Sequence, residues 1–324
     1  MKVALCITTY NEEKSIQKLL ESIFFQTFLP NEIVIVDGGS GDRTVAIISG
    51  FQVKIHRKFP DILFRLKRSK RRIGIAKGRN LAVKSAKYPI IAMTDAGCYL
   101  EKHWVERLTK PFLTKDTDVV AGFYHMVGRS SFQIALKPFV GIMPDKYDKE
   151  AFLPSTRSIA FKKNIWKKVG GFNEDLDRAG EDSEFNLRIR EKKGKIVRVK
   201  NASVGWEVPD SFPRALKKFF YYARGDAQVG RLTSSHNIHV IGIFIRYVVI
   251  IGFIWGTIRY GFSVLPVLVL VYLYFSWSFW KAYKYKKSWK VGLWGTIIQM
   301  GCDGSVMTGF LAGFLKYGLY KTDN

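Results

Sequence analysis

Two apolar runs near the carboxyl end constrain this chain more than any other feature. VIGIFIRYVVIIGFIWGTI (240–258) and FSVLPVLVLVYLYFSWSFW (262–280) are each long enough to cross a hydrocarbon core of ~30 Å. Only Arg246 interrupts the first run. A helix that stays apolar on every face for ~20 residues offers water no solvated side, which points to a membrane rather than to the core of a soluble fold. Trp255, Tyr260, Trp277 and Trp280 near the ends of the runs suit an interfacial aromatic belt. A third stretch, VGLWGTIIQMGCDGSVMTGFLAGFLKYG (291–318), is rich in glycine and holds Asp303 near its middle. It is expected to span as well, over about 291–319, with the acid turned to protein, water or a partner.

The loop between the second and third runs, KAYKYKKSWK (281–290), is cationic, and the positive-inside rule puts it in the cytoplasm. The first two runs then form a hairpin with its tip, near Arg259 to Gly261, facing outward. Residues 1 to about 237 are expected on the cytoplasmic side of a multi-pass membrane protein. The formal charge of +25 favours anionic partners in general. Nucleic acid is disfavoured among them, because the basic residues are scattered and accompany no DNA- or RNA-binding signature. Cys6, Cys98 and Cys302 fit neither a disulfide framework nor a zinc ribbon, and the His236/His239 pair lacks the glutamate of a metalloprotease helix. The amino terminus, MKVALCITTY, reads as a first strand rather than a signal peptide.

The first two thirds alternate strands with helices. KVALCITTY precedes SIQKLLESIF, in which Ile16, Leu19, Leu20, Ile23 and Phe24 form one helical stripe. There follow EIVIVD (32–37), the turn GGSGD, a short helix, a strand VKIHRK (53–58), a basic helix through RNLAVKSA, and the strand PIIAMTD ending at Asp95. Repeated units of this kind predict an α/β fold with a mostly parallel, helix-covered sheet. Such sheets bind ligands at the carboxyl ends of their strands. TTYNEE, Asp37 and Asp95 all fall at such ends, so three acid-bearing termini are expected around one crevice. Further on, GEDSEF opens a helix expected to bury Phe185, Leu187 and Ile189. The segment PDSFPRALKKFFYYARGDAQVGRL (209–232) mixes aromatic and basic residues at helical spacing, as an interfacial helix would. The implied division is 1–208, a linking amphipathic segment 209–237, and an all-α transmembrane region 238–324. Residues 127–150 are expected on the acceptor side.

Taken in order, ITTYNEE, IVDGGSGDRT, GIAKGRNLAVKSA, MTDAG, SIAFKK with GGFNEDL, and GEDSEF resemble the family 2 glycosyltransferases over roughly residues 1–230. The resemblance implies a GT-A fold, a Rossmann-like mixed sheet that binds a nucleoside-diphosphate sugar. It implies that Thr9, Tyr10, Asn11, Glu12 and Asp37 hold the nucleoside, and that Arg79 and Asn80 line the donor site. Asp95 falls where the family has an Asp-x-Asp motif, but the second acid is Gly97, and Trp206 stands where a histidine is common. Asp95 is thus the one candidate ligand for a divalent cation, Mg or Mn, and metal dependence stays open. Asp182 corresponds to the general base of an inverting displacement; helix capping is its other reading. In YYARG (221–225), Arg224 matches the arginine of a diphosphate-contacting motif and equally suits a lipid headgroup.

The expected activity is transfer of a sugar to a hydroxyl of a lipid-linked or membrane-proximal glycan, with the catalytic domain cytoplasmic. Two alternatives remain beside it: a polyprenyl-phosphate acceptor, and a non-catalytic membrane scaffold whose nucleotide-sugar site has decayed.

Overall fold

The structure is a computed structural model that describes residues 1–114, 116–176, 178–229 and 235–321, with the backbone alone over 235–239 and 317–321. The side chains of His236 and His239 lie outside the described residues. The chain divides into two compact units, residues 1–126 with 144–207, and residues 127–143 with 208–324.

The first unit is built on eight strands: β1 (Val3–Thr9), β2 (Glu32–Asp37), β3 (Leu63–Arg68), β4 (Ile90–Asp95), β5 (Cys98–Leu100), β6 (Val119–Val127), β7 (Ile159–Lys162) and β8 (Ile196–Glu207). They lie in the order β3-β2-β1-β4-β7-β6-β8-β5. The helices between them are α1 (Ile16–Phe24), α2 (Thr44–Lys58), α3 (Ile75–Ser85), α4 (Trp104–Thr109) and α5 (Pro111–Thr114), then α6 (Ser131–Val140), which belongs to the second unit, α7 (Lys163–Lys168) and α8 (Glu181–Glu191).

β1, β2 and β4 are buried almost throughout, as strands covered by helices on both faces must be. The pairs β1–β2, β2–β3 and β1–β4 are parallel, whereas β7 joins β4 antiparallel and β6 and β5 also pair antiparallel with their neighbours. The mixed sheet that the resemblance implies is observed: the first four strands are parallel, as the strand–helix units predict, and the far half is antiparallel. That half comes from segments with no regular strand–helix alternation to announce it.

Two local expectations are corrected. VKIHRK is not a strand: it is the last turn and a half of α2, and the third strand is LFRLKR. Thr44, Ile48, Phe51 and Ile55 form the buried stripe of that helix at spacings of three and four; Val53 and Ile55 imitate a period of two in the sequence, but Val53 is exposed. In α8 the buried residues are Glu181, Phe185, Asn186 and Ile189, and Leu187 is only half-buried. Spacings of three and four share a helical face; a spacing of two does not. In α1 the buried set is Ile16, Leu19, Leu20 and Ile23, with Phe24 half-buried and its ring edge-on to Phe51 at 4.9 Å.

The second unit is helical: α6, α9 (Phe212–Gln228), α10 (Ser235–Tyr260), α11 (Leu265–Tyr283) and α12 (Trp289–Lys321). α10, over Val240–Tyr260, and α11 are long and apolar enough to cross a membrane. The glycines of α12 are seats for its neighbours. A Cβ on Gly295 would collide with Ala282 and Ser278 of α11, and one on Gly309 or Gly313 would collide with the backbone of Phe220 or Arg224 on α9. The aromatic face of α9 is thus partly a protein contact, with Phe219 buried.

Asp303, required by its depth to find a partner, has three. It accepts from Arg246 Nη1 of α10 (3.1 Å), Tyr274 Oη of α11 (2.9 Å) and Gln299 Nε2 of α12 (2.7 Å). Lys281 donates to Gln299 Oε1 at 3.2 Å and lies 3.9 Å from the centre of the Phe139 ring on α6.

Candidate active site

Register assembles the site. Thr9 of β1 lies opposite Asp37 of β2, Thr8 lies opposite Asp95 of β4, and Asp37 lies opposite Arg68 of β3. The carboxyl ends of four adjacent parallel strands therefore form one row carrying two carboxylates, which is where open α/β sheets place ligands.

The chain leaves β2 in a turn that wraps the first carboxylate. Asp37 is fully buried and accepts from the backbone N–H groups of Gly39 (3.1 Å) and Ser40 (3.0 Å) and from the Ser40 hydroxyl. Gly39 has φ 92°, and a Cβ there would strike the carbonyl of Arg71, so this turn admits no side chain. The loop after β1 is tied to the same turn. Asn11, at φ 55°, donates its N–H to Ser40 Oγ (2.8 Å) and accepts from Gly41 N–H (2.9 Å). Glu12 donates its N–H to Thr44 Oγ1 (2.8 Å), and its carboxylate accepts from Ser15. Tyr10 is exposed, with the Arg72 guanidinium 5.1 Å from its ring centre, while the buried Thr9 hydroxyl has no hydrogen-bond partner. Together these form an aromatic and polar rim with a backbone that is already fixed.

The second carboxylate belongs to a buried charge cluster. Arg79 of α3 is 1% exposed; its Nη2 donates to Asp95 Oδ1 at 2.8 Å and its Nη1 donates to Glu181 Oε1. Glu181 and Asp182 are the first two residues of α8, which is preceded by Gly180 at φ 92°. Asp182 is half-buried and accepts from Ser183 N–H at 2.8 Å. Burial works against the charge on Arg79, but Asp95, Glu181 and Asp182 outweigh it and hold the guanidinium ionised. Burial pushes the Glu181 carboxyl above the ordinary glutamate range, Arg79 opposes that rise, and Asp182 adds to it. Arg79 Nε and Glu181 Oε2 have no hydrogen-bond partner within the protein.

The structure thus brings Thr9, Tyr10, Asn11, Glu12 and Asp37 into one group, and Asp95, Arg79 and Asp182 into another along the same strand ends. Asn80 sits beside Arg79 but is fully occupied. It donates to the Phe172 carbonyl and Glu174 Oε1, both at 2.8 Å, and accepts from Phe172 N–H (2.8 Å) and Trp166 Nε1 (3.2 Å). These bonds fasten the GGFNE loop against α3. Arg224 lies on α9 in the second unit, half-buried.

One neighbour escaped the sequence reading. Thr94 Oγ1, one residue before Asp95, donates to the carbonyl of Arg157 at 2.8 Å, and the Arg157 guanidinium stacks 4.0 Å from the centre of the Trp206 ring. In a chain with 52 lysines and arginines, no local pattern distinguishes this one.

A divalent cation, where the family uses one, would find Asp95 as its protein ligand. The Asp95 side chain is 28% exposed, and the described residues contain no group of three acids, histidines or cysteines placed to hold a metal ion. The donor set fits a cation held mainly by phosphate oxygens and water.

The family model described as glycosyl transferase family 2 matches residues 4–173, just over half the chain. The glycosyltransferase GlyA of Streptococcus pneumoniae is 23% identical over 253 residues, 73% of this chain and 35% of its own. With GlyG of the same organism, of which 39% is covered, this means the chain spans well under half the length of the first curated relatives it matches. The dolichyl N-acetyl-alpha-D-glucosaminyl phosphate glucuronosyltransferase of Methanococcus voltae is 24% identical, covering 68% of this chain and 71% of the relative. Among solved structures, the mannosyltransferase PcManGT from Pyrobaculum calidifontis, in complex with GDP-Man and Mn2+, superposes with a TM-score of 0.56 at 18% identity, over 99% of this chain and 88% of its own. A strand order that starts parallel and ends antiparallel, the acid-bearing row at its carboxyl ends and the family match agree: the chain has a GT-A fold and belongs to glycosyl transferase family 2.

Proposed function

We propose that this chain is a membrane-anchored, inverting glycosyltransferase that moves a sugar from a nucleoside-diphosphate donor to a hydroxyl of a lipid-linked or membrane-proximal glycan. The observation that carries the reading is the row of strand ends. A nucleoside cup around Asp37 and a diphosphate-facing acid, Asp95, share it, and Asp182 stands at the start of α8 next to the same charge cluster.

The roles follow from chemistry. Asp37 and the Thr9–Glu12 loop hold base and ribose through acceptors and a fixed backbone. Tyr10 offers a ring face at the rim. Arg79 holds Asp95 and Glu181 in place rather than reaching the donor, and Asn80 anchors the loop behind it. Asp182 takes the proton of the acceptor hydroxyl as the anomeric carbon is attacked from the side opposite the leaving diphosphate, which inverts its configuration. A cation at Asp95 would neutralise charge on that diphosphate. The neighbour PcManGT carries Mn2+ and GDP-Man, which supports both a metal and a nucleotide sugar here.

The acceptor class rests on α10 and α11, on the five lysines of the 281–290 loop, and on a relative whose name specifies a dolichyl phosphate-linked sugar. The site is assigned to the cytoplasmic face by those lysines. The test is a thermal-shift panel of UDP-, GDP- and dTDP-sugars on the detergent-solubilised full chain, with manganese or with a chelator. Stabilisation by one nucleotide class supports the reading, and no response to any of them favours the decayed-site scaffold.

A further inference from the structure

We infer that Arg157 is a diphosphate-binding residue of the donor site, an inference that rests on the donor reading above. Its backbone is pinned to the strand end that carries Asp95: Thr94 Oγ1 donates to the Arg157 carbonyl at 2.8 Å. Its guanidinium lies 4.0 Å from the centre of the Trp206 ring and 5.4 Å from that of Tyr124, and both aromatic residues are buried. Trp206 pairs with Cys98 across β8 and β5, and Cys98 directly follows Gly97. Three segments distant in sequence therefore meet where a donor diphosphate would lie, and they present a half-buried planar cation there.

The charge balance gives that cation a task. Arg79 already serves Asp95 and Glu181, and Asp182 adds a further negative charge. With Arg79 committed to carboxylates, an incoming diphosphate brings negative charge that calls for a further cation. Arg157 offsets that charge from the side of the crevice where Gly97 supplies no carboxylate. An arginine suits this position better than a lysine, because its planar fork matches two phosphate oxygens and stacks on an aromatic face while doing so. The Nη1 bond to Ser155 Oγ (2.9 Å) and the two rings fix the fork before the ligand arrives.

The test uses the full chain in detergent. UDP, GDP and dTDP are titrated calorimetrically to find the one that binds; that nucleotide and its parent nucleoside are then titrated into wild type, Arg157→Ala and Arg157→Lys. The expected result is a loss of about 10- to 100-fold in nucleoside diphosphate affinity for Arg157→Ala, part recovery in Arg157→Lys, and unchanged nucleoside affinity. Wild type supplies a second arm that does not depend on how the variants fold. Phenylglyoxal labelling, read by peptide mass spectrometry, should spare Arg157 when the nucleoside diphosphate is bound but not with the nucleoside. A wild type that binds none of the three overturns the donor reading together with this inference. Binding that is equal in wild type and Arg157→Ala, or full labelling of Arg157 in the bound state, overturns the inference alone.

Discussion

Each unit buries an arginine–carboxylate cluster, and the two are built on opposite balances. In the first, a single guanidinium, Arg79, stands between Asp95 and Glu181 within the field of Asp182. In the second, a single carboxylate, Asp303, collects donors from Arg246, Tyr274 and Gln299. The first leaves Arg79 Nε and Glu181 Oε2 without protein partners, and no atom of the second is among the unpartnered buried atoms of the described residues. A satisfied network fixes geometry and has little left to offer a ligand; an unsatisfied one keeps polar capacity that water or a ligand completes. The Asp303 cluster therefore reads as a lock across α10, α11 and α12, and the Arg79 cluster as a scaffold for chemistry.

The sharpest way to break this contrast is Asp182→Asn. Removing the proposed base while keeping the shape should lower the rate of transfer roughly 10²- to 10⁴-fold and leave donor affinity unchanged, as measured by turnover and calorimetry on one preparation. Near-normal turnover would favour the polyprenyl-phosphate acceptor, an anion that needs little help from a base. Next in size is Arg79→Met. It removes the guanidinium that bridges Asp95 and Glu181 and sets an apolar chain between them, and a loss of about 3–5 kcal/mol is expected, read as the unfolding free energy of the first unit. A loss under about 1 kcal/mol would mean that water already screens the cluster.

Asp303→Asn probes the other side of the comparison. The amide retains one acceptor for Arg246 or Tyr274 but turns a donor toward Gln299, so a smaller cost of about 1–2 kcal/mol is expected. Donor binding and turnover should be untouched. A large fall in turnover without loss of fold would remove the distinction between lock and chemical scaffold.

How far these clusters can be read from sequence differs in an instructive way. Asp37 and Asp95 are legible as strand-end acids because each closes an apolar β run, and the repeated strand–helix units tell that those strands are parallel. Glu181 as partner of Arg79 is not legible: 102 residues separate the two, and helix-start acids are favoured for local reasons alone. Asp303 is an intermediate case. Its depth in an apolar run demands a partner, yet only packing selects Arg246, 57 residues away. VKIHRK fails for a different reason, since six residues with β-branched alternation cannot be distinguished from the end of an amphipathic helix until the stripe from Thr44 to Ile55 is followed. Asn80 lies within a recognised motif but in a role the motif does not specify, because three of its bonds reach a loop some ninety residues away and the fourth reaches Trp166 of α7.

A pH series sharpens the first cluster. Burial raises the Glu181 carboxyl, and a group whose folded pKa exceeds its unfolded value favours folding while protonated. That contribution is complete below the unfolded value and fades as pH rises through the folded one. Glu181→Gln, neutral at every pH, should therefore lie nearest to wild type near pH 4 and gain on it toward neutrality. Thermal midpoints at several pH values would show this as a widening gap, and a constant gap would count against a raised Glu181.

The smallest change in stability, and the most pointed comparison, is Gly97→Asp. A Cβ at Gly97 meets no heavy atom within 4 Å and the residue has no positive φ, so the substitution should alter stability by less than about 0.5 kcal/mol. Its effect on ligands should be larger, because it adds a further carboxylate to a strand end already rich in acid. Without metal, the added charge repels a diphosphate, and affinity for the preferred nucleoside diphosphate should fall. With manganese, two carboxylates share the cation with phosphate oxygens, and affinity should rise. The measured quantity is the ratio of Kd in chelator to Kd in manganese, which should be greater in the variant than in wild type. An unchanged ratio would mean that residue 97 faces away from the phosphates, and the charge balance around Asp95 would then have to be explained without it.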